Sequence, residues 1–118
     1  LWDDGDALDV IVLTTNPIPS GILVTVRPVG LMEMIDDGES DDKIICVPTE
    51  DIRFDHVKDI ADVNPHTLKE MKHFFEHNKA LKKKPAIITI HGFKDRTDAI
   101  AAVKKSVEQY KKRFDKKA

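Results

Sequence analysis

Several residue types are scarce in this chain of 118 residues, and each shortage excludes a class of protein. There is one cysteine, Cys46, so no disulfide can form within the chain. It lies in the apolar segment 44–47, which predicts a buried thiol in a reducing compartment. No apolar run approaches the roughly 20 residues that a membrane-spanning helix needs. We therefore expect a soluble, cytoplasmic protein with no membrane partner.

Aromatic residues are few, and there is no surplus of positive charge. Aromatic side chains make up 6% of the sequence, and 21 acidic residues outnumber 19 basic ones for a formal net charge of −2. Single-stranded nucleic acids are usually bound by a basic groove with stacking aromatic side chains, so nucleic acid is not an expected partner. The length suits a single domain, residues 1–118.

Apolar and turn-forming residues divide the chain into short strands followed by helices. Strands are predicted at 8–13, 22–29, 31–35, 43–47 and 86–90. Alternation in the first strand places Asp9 and Ile11 on one face, and we expect both faces of that strand to be buried. Pro28 and Gly30 predict a bulge or sharp bend, and Gly92 is expected to end the last strand.

Two helices are predicted in the second half. Asn64 followed by Pro65 is a typical helix start, and the first helix should run to about Leu81. The segment 49–62 before it shows no clean period and is interpreted as an irregular connection. The final helix has apolar residues three and four apart that should pack on the sheet: Ile100, Val103, Val107, Tyr110 and Phe114. Together these elements predict an α+β protein whose small, curved, mainly antiparallel sheet forms a partly open barrel.

Three carboxylates stand close together at the start of the first strand, at Asp4, Asp6 and Asp9. Carboxylates this close repel one another by about 1 kcal/mol per pair in water, and by more near a protein surface. No lysine or arginine lies within the stretch, so a hard divalent cation held by oxygen ligands is the better counter-ion. The alternative is a solvated acidic turn, and this stretch alone leaves both interpretations open.

A second acidic segment follows the strand predicted at 31–35. Asp36 and Asp41 flank a turn that contains Gly38, and Asp41 and Lys43, two residues apart, should point to one face. They could simply form an exposed salt bridge, worth roughly 0 to 1 kcal/mol. If Asp41 instead binds a metal ion, Lys43 points at the anion that the metal carries, which suits phosphate. A solvated hairpin tip is the alternative interpretation.

Two other metal motifs are excluded by spacing. An EF-hand loop counted from Asp4 would need an oxygen ligand where Leu8 stands and a glutamate where Thr15 stands. His73 and His77 lie one helical turn apart, but no glutamate directly follows the first histidine as it does in zinc proteases. We interpret these two histidines as packing or interface residues.

Segments along the whole chain resemble one protein family. The stretch 4–10 is similar to the D-x-D-P-x-D-V signature of the soluble family I inorganic pyrophosphatases. Further segments resemble that family in the same order and at matching separations: 27–30, 36–43, 45–48, 55–59, 73–77 and 92–93. Because the similarity covers nearly the whole chain, it is far more specific than any single motif.

The resemblance implies a five-stranded, OB-like, partly open barrel with two C-terminal helices, and an enzyme that hydrolyses pyrophosphate to two phosphates with Mg²⁺. It implies that Asp6 orients and deprotonates the attacking water, and that Lys43 and Lys79 bind phosphate oxygens. The residues that it implies as metal ligands are Asp4, Asp9, Asp36 and Asp41. Asn78 stands where the family commonly has a phosphate-binding Tyr, and Ala7 replaces the usual proline of the signature.

The resemblance also bears on assembly and completeness. His73 and His77 resemble the subunit-contact helix of the compact prokaryotic-type enzymes, which are commonly hexamers. The family has an N-terminal segment that carries a metal-site Glu and substrate-binding Lys and Arg, and this sequence resembles the remaining two-thirds. We therefore expect an incomplete barrel that is poorly active alone. The alternative is a non-catalytic OB-like module that binds a divalent cation or a basic protein partner.

Overall fold

One curled β-sheet organises the molecule. The computed structural model describes residues 1–15, 18–77 and 87–114, and within them the sheet has five strands. The strands are β1 (Asp9–Val12), β2 (Val26–Asp36), β3 (Glu39–Ser40), β4 (Lys43–Pro48) and β5 (Ile88–Lys94). The long strand β2 pairs antiparallel with β3, β4 and β5, and β1 pairs with β4 in parallel. The predicted α+β class with a partly open, five-stranded barrel is confirmed.

Strand β2 bends because its pairing register shifts twice. Against β4 the shift falls between Pro28 and Gly30, where the sequence predicted a bulge. Against β5 the shift follows Glu33, whose partner Gly92 has a φ of 146°, a backbone conformation that glycine adopts most easily. Gly92 therefore lies inside β5, which continues to Lys94, and the prediction that it ends the strand is wrong.

The first strand is shorter and more exposed than predicted. Asp9 and Val10 are exposed, so the expectation that both faces are buried is wrong. Within the described residues β1 pairs only with β4, and its other edge carries no strand. The predicted alternation is nevertheless correct, because Ile11 packs into one core and Leu8 into the other. Residues 22–25, which were also predicted as strand, precede β2 without pairing in the sheet.

Two helices follow the strands of the first half. Helix α1 (Pro65–His77) begins as predicted, because the Asn64 side chain accepts a hydrogen bond from the His66 N–H at 2.9 Å. The predicted helix end near Leu81 lies outside the described residues. Helix α2 is Arg96–Phe114. The irregular connection contains two one-turn 3₁₀ helices, Ile52–Phe54 and Ile60–Asp62. Neither α-helix, over its described length, combines the length and apolar character needed to cross a membrane.

The sheet buries a core on each face. On the α1 face, nine buried residues form one cluster: Val29, Met32, Met34, Ile45, Val47, Val57, Val63, Met71 and Ile90. On the α2 face, six buried residues form the other: Trp2, Leu31, Ile44, Cys46, Ala99 and Ala102. Successive residues of β4 alternate between the two clusters, as expected for a strand covered on both sides. The predicted burial of Cys46 is confirmed, since its side chain is almost completely enclosed.

The side of α2 that faces the sheet differs from the predicted stripe. Three of the five stripe residues are exposed, Val107, Tyr110 and Phe114. The buried positions are instead occupied by small side chains, namely Ala99, Ala102 and Ser106. Small residues let the helix approach the sheet closely, and the large indole of Trp2 packs into the same cluster. The predicted packing of the helix on the sheet is therefore present, and Val103 of the stripe contacts the core, but the buried side is centred on the small residues one position earlier in the chain.

Candidate active site

Acidic side chains from two loops meet at one end of the sheet. A cavity of 320 Å³ is lined by Asp4, Asp6, Asp36, Asp37, Glu39 and Asp41. Four of the five carboxylates named from the sequence therefore share one cavity. The fifth, Asp9, lies beside it and contacts Lys43, which also contacts Asp41.

The loop that carries Asp4 and Asp6 is held in place by Trp2, which the sequence had not indicated as a site residue. The Trp2 N–H donates a hydrogen bond to the Asp6 carbonyl at 2.8 Å, and the Gly5 N–H donates to the Trp2 carbonyl at 2.9 Å. The Trp2 side chain is buried, and its Nε1 donates to Ser40 Oγ at 3.1 Å. A lone tryptophan directly before an acidic stretch was the available signal for this anchoring role.

The second acidic loop is a two-residue hairpin turn between β2 and β3. Asp37 and Gly38 both have positive φ, 51° and 84°, and Asp36 pairs with Glu39 across them. Asp-Gly is favoured in this tight turn, because aspartate tolerates and glycine readily adopts positive φ. The turn brings Asp37 and Glu39 to the cavity, and neither was named from the sequence.

Lys43 lies between two of the named carboxylates. On the parallel strands β1 and β4, Lys43 stands directly opposite Asp9. Its Nζ is 2.5 Å from Asp9 Oδ2 and 2.9 Å from Asp41 Oδ1, so the predicted pairing of Asp41 with Lys43 on one face is present. The Lys43 side chain is only 7% exposed, and its ammonium lies 6.0 Å from the centre of the Phe75 ring on α1.

Burial and neighbouring charges shift the pKa values of Lys43 and Asp41 in opposite directions. Burial alone lowers the pKa of Lys43, but the hydrogen bonds that it donates to Asp9 and Asp41 outweigh this effect and raise the pKa above its usual value. Burial raises the pKa of Asp41, while the nearby Lys43 ammonium opposes that rise. Lys43 is therefore a permanent cation at neutral pH.

Asp42 positions the segment that carries Asp41 and Lys43. Its buried carboxylate accepts a hydrogen bond from the Met34 N–H at 3.0 Å, and the Asp41 N–H donates to the Met34 carbonyl at 2.9 Å. Burial raises the pKa of Asp42, although the hydrogen bond from Met34 opposes this. Asp42 points to the α2 face beside Trp2, whereas Asp41 and Lys43 point to the α1 face. The sequence had not indicated this role.

The other residues named from the sequence are not in this cluster. Lys79 and Asn78 lie outside the described residues. His73 and His77 lie on α1 with their side chains exposed and their ring centres 4.4 Å apart.

The acidic cavity fits a hard divalent cation by the chemistry of its donors. Mg²⁺ prefers carboxylate and water oxygens, which is what the lining residues supply. Over residues 1–15, 18–77 and 87–114, however, no three His, Cys, Asp or Glu side chains converge tightly enough to hold a metal ion. The Lys43 ammonium instead bridges Asp9 and Asp41. The donor set is therefore present, but two of the proposed ligands, Asp9 and Asp41, are paired with a protein cation.

Fold and site together define a class of protein: an OB-like curled sheet with an acidic cavity at its rim and a buried lysine paired with two carboxylates beside it. Comparisons with known proteins identify the family within this class. The family model described as inorganic pyrophosphatase matches residues 1–111. The chain belongs to the inorganic pyrophosphatase family.

Individual relatives agree with the family match. An inorganic pyrophosphatase of Synechocystis sp. is 43% identical over 111 residues, which cover 94% of this chain and 64% of the relative. An inorganic pyrophosphatase of Haloferax volcanii is 40% identical over 113 residues, which cover 96% of this chain and 63% of the relative. The crystal structure of the Thermus thermophilus inorganic pyrophosphatase superposes with a TM-score of 0.86 at 44% identity, covering 92% of this chain and 63% of that one. The chain thus spans less than two-thirds of the length of these relatives.

Proposed function

We propose that this chain carries the metal-binding and water-activating part of an Mg²⁺-dependent inorganic pyrophosphatase. The observation that supports the proposal most directly is the meeting of two acidic loops and Lys43 at one rim of the sheet. The substrate would be pyrophosphate, and the product two phosphates. The proposed metal ligands are Asp4, Asp9, Asp36 and Asp41.

The charge of the substrate explains why such a site needs cations. Pyrophosphate is dense in negative charge, and an acidic cavity without cations would repel it. Bound Mg²⁺ would neutralise phosphate oxygens and lower the pKa of water so that a hydroxide forms near neutral pH. Carboxylates that face several cations stay ionised, as ligands and a base must.

The residues of this chain have separate roles in the proposed reaction. Asp6, exposed in the cavity, accepts a proton from the attacking water. The water oxygen forms a bond to one phosphorus, the bridging P–O bond breaks, and its electron pair leaves with the second phosphate, which takes up a proton. Lys43 donates hydrogen bonds to phosphate oxygens and stabilises the charge that develops on them. Lys79 is proposed as a second phosphate ligand, with Asn78 as a weaker neighbour.

We expect this chain alone to bind Mg²⁺ weakly and to hydrolyse pyrophosphate poorly. The acidic half of the site is present, but the resemblance assigns a metal-site Glu and substrate-binding Lys and Arg to a segment that precedes position 1 in the family. Loss of one preorganised donor typically costs about 2.7 to 4 kcal/mol of transition-state stabilisation. In an assay of this chain alone, several such donors would be absent together, although their effects need not add.

Phosphate release from pyrophosphate, measured with and without Mg²⁺, tests the function. Two proteins should be compared: this chain, and a chimera in which the amino-terminal third of the Thermus thermophilus relative precedes Leu1. We expect Mg²⁺-dependent turnover by the chimera that exceeds that of the chain by several orders of magnitude. Asp6→Asn should abolish most of that turnover, whereas Glu70→Gln on the exposed side of α1 should leave it unchanged.

Two outcomes would contradict the proposal. One is a folded chimera that releases no phosphate above background, and the other is full activity of Asp6→Asn. A chimera that binds Mg²⁺ without turnover would instead favour the non-catalytic alternative, a module that binds a divalent cation or a basic protein partner. Equal turnover by chain and chimera would show that the additional segment is dispensable.

Assembly and location are proposed on the same resemblance. His73 and His77 are exposed on α1 and Phe74 is 47% exposed, so this side of the helix is available for a subunit contact. We propose a homo-oligomer, with a hexamer favoured, in the cytoplasm. Sedimentation of the chimera at micromolar concentration tests the assembly. A monomer would contradict it, and His73→Ala with His77→Ala should weaken the association.

A further inference from the structure

Lys43 makes its closest contacts with residues proposed as metal ligands. Its Nζ donates to Asp9 Oδ2 and to Asp41 Oδ1, at 2.5 and 2.9 Å. The two carboxylates differ in exposure, since the side chain of Asp9 is 60% exposed and that of Asp41 is 18% exposed. The ammonium therefore occupies the space between the two carboxylates, where a divalent cation would have to lie.

A metal ion and this ammonium compete for the same oxygens. Mg²⁺ binds carboxylate oxygens at about 2.0 to 2.1 Å, so an ion shared by Asp9 and Asp41 would lie within a few ångströms of the present Nζ position. Cation–cation repulsion over that distance is large in a partly buried site, because little water screens it. The two cations cannot both hold their preferred positions on this carboxylate pair.

We propose that the Lys43 ammonium is the counter-ion of Asp9 and Asp41 in the metal-free protein, and that a divalent cation displaces it from these carboxylates so that it can bind a phosphate oxygen. This inference rests on the proposed function and adds an order of events to it. Metal binding comes first and frees Lys43, which then donates to the anion. By reciprocity, phosphate that holds Lys43 away from the carboxylates strengthens metal binding.

The packing of Lys43 supports a movement of its head rather than of its whole side chain. The backbone of Lys43 is fixed in the sheet opposite Asp9 and Met32. The side chain is buried and its head lies 6.0 Å from the centre of the Phe75 ring. The outer end of a lysine side chain rotates about several single bonds, so the ammonium can change partners while the strand stays in place.

Direct measurement of metal affinity tests the proposal without reference to hydrolysis. Mn²⁺ binding by this chain should be measured by electron paramagnetic resonance in the absence of phosphate, since Mn²⁺ shares the oxygen preference of Mg²⁺. We expect Lys43→Met to bind Mn²⁺ about tenfold more tightly than the unaltered chain, because the competing cation is gone. Lys43→Arg retains the charge and should bind no more tightly than the unaltered chain.

A matched control separates this effect from a general loss of positive charge. Lys94 pairs with Glu33 at 3.0 Å on the other side of the sheet, so Lys94→Met removes an ion pair outside the site. Its Mn²⁺ affinity should equal that of the unaltered chain. Added inorganic phosphate should tighten Mn²⁺ binding by the unaltered chain, and Lys43→Met should lose this coupling.

A further test uses only the unaltered chain, so its result does not depend on whether a variant folds. The ¹⁵N signal of the Lys43 ammonium should report slowly exchanging, hydrogen-bonded protons without metal, and fast exchange after Mg²⁺ is added. An unchanged signal at saturating Mg²⁺ would overturn the inference, as would equal or weaker Mn²⁺ binding by Lys43→Met, while leaving the proposed function intact. Absence of metal binding by every variant of the chain and by the chimera would overturn both.

Discussion

The two faces of the sheet bury cores of different size and composition, and they are covered in different ways. One continuous helix of 19 residues covers the α2 face, whereas the α1 face is covered by a helix of 13 residues and two 3₁₀ helices of three residues each. A cavity of 610 Å³ opens on the α1 face beside Leu13, Phe54, Val57 and Val63. The α2 face is therefore covered by one regular element with a smaller cavity of 290 Å³ beside Trp2, whereas the α1 face, which carries Lys43, is covered by short segments held by side-chain hydrogen bonds.

The strongest test of this difference compares neighbouring isoleucines of β4. Ile44 packs on the α2 face and Ile45 on the α1 face, and both are fully buried. Each change to Ala should lower the free energy of unfolding by about 2 to 5 kcal/mol. Ile44→Ala should lie in the upper part of that range, because a long regular helix cannot collapse into the space that is left. Urea unfolding measures both values.

The control for this pair is an exposed apolar residue of the same sheet. Val10 is 49% exposed on the edge strand, and Val10→Ala should change the free energy of unfolding by less than about 0.5 kcal/mol. If Ile45→Ala proved more destabilising than Ile44→Ala, the α1 face would be the more tightly consolidated one.

A second test removes the buried carboxylate of Asp42 from the α2 face. Asp42→Ala leaves the buried Met34 N–H without its acceptor and should cost about 1 to 3 kcal/mol. Asp42→Asn keeps a carbonyl oxygen in the same place and should recover most of that loss. Urea midpoints of the two variants measure the difference. Equal destabilisation by Ala and Asn would show that the charge, rather than the hydrogen bond, matters at this position.

The sequence predicted those features that depend on local chemistry. The bend at Pro28 and Gly30, the start of α1 at Asn64 and the pairing of Asp41 with Lys43 on one face are present in the structure. Each depends on a residue type and a short spacing, so neighbouring elements have little influence. The family resemblance also assigned acidic residues of two loops, distant in the sequence, to one site. Four of these five carboxylates line the same cavity.

Features set by tertiary contacts could not be predicted in this way. The period of α2 identified a stripe that includes Tyr110 and Phe114, but the helix turns small residues to the sheet because Trp2 shares the space between them. Burial of both faces of β1 requires elements packed over each face, and the exposure of Asp9 and Val10 shows that the first half of the strand is not covered in this way. Asp42 was missed because its partner, Met34, is brought to it only by the register of the hairpin.

A third test uses the lone thiol of the α2 face. Burial raises the pKa of Cys46 to about 11 from its usual 9.0, so the folded state keeps its proton where the unfolded chain begins to lose it. The contribution of Cys46 to stability is therefore fully present below pH 9 and is lost as the pH rises through 11. Relative to Cys46→Ala, the unaltered chain should lose about 1 kcal/mol between pH 8 and pH 10.

Urea unfolding gives the free energy of unfolding of the unaltered chain and of Cys46→Ala at each pH. The difference between the two proteins isolates the contribution of Cys46, because lysine titration affects both equally. The same burial predicts that a thiol reagent leaves folded Cys46 unmodified at pH 8 and modifies it in urea. A pH-independent difference between the two proteins, or rapid labelling of the folded chain, would show that the α2 face is open at Cys46.

The smallest expected effect concerns the hydrogen bonds that hold the second 3₁₀ helix over the α1 face. Asp62 Oδ2 accepts from the Lys58 and Asp59 N–H groups at 3.0 and 3.1 Å, and these bonds lower the pKa of Asp62 below its usual 3.8. A lowered pKa means that the contribution is present above about pH 4 and is lost as the pH falls through the folded value. Asp62→Asn should therefore lower the urea midpoint slightly at pH 7, and this difference should vanish toward pH 2. Asp98→Asn near the start of α2 provides the comparison on the other face. A midpoint difference for Asp62→Asn that grows on acidification would show that the carboxylate does not secure the α1 face.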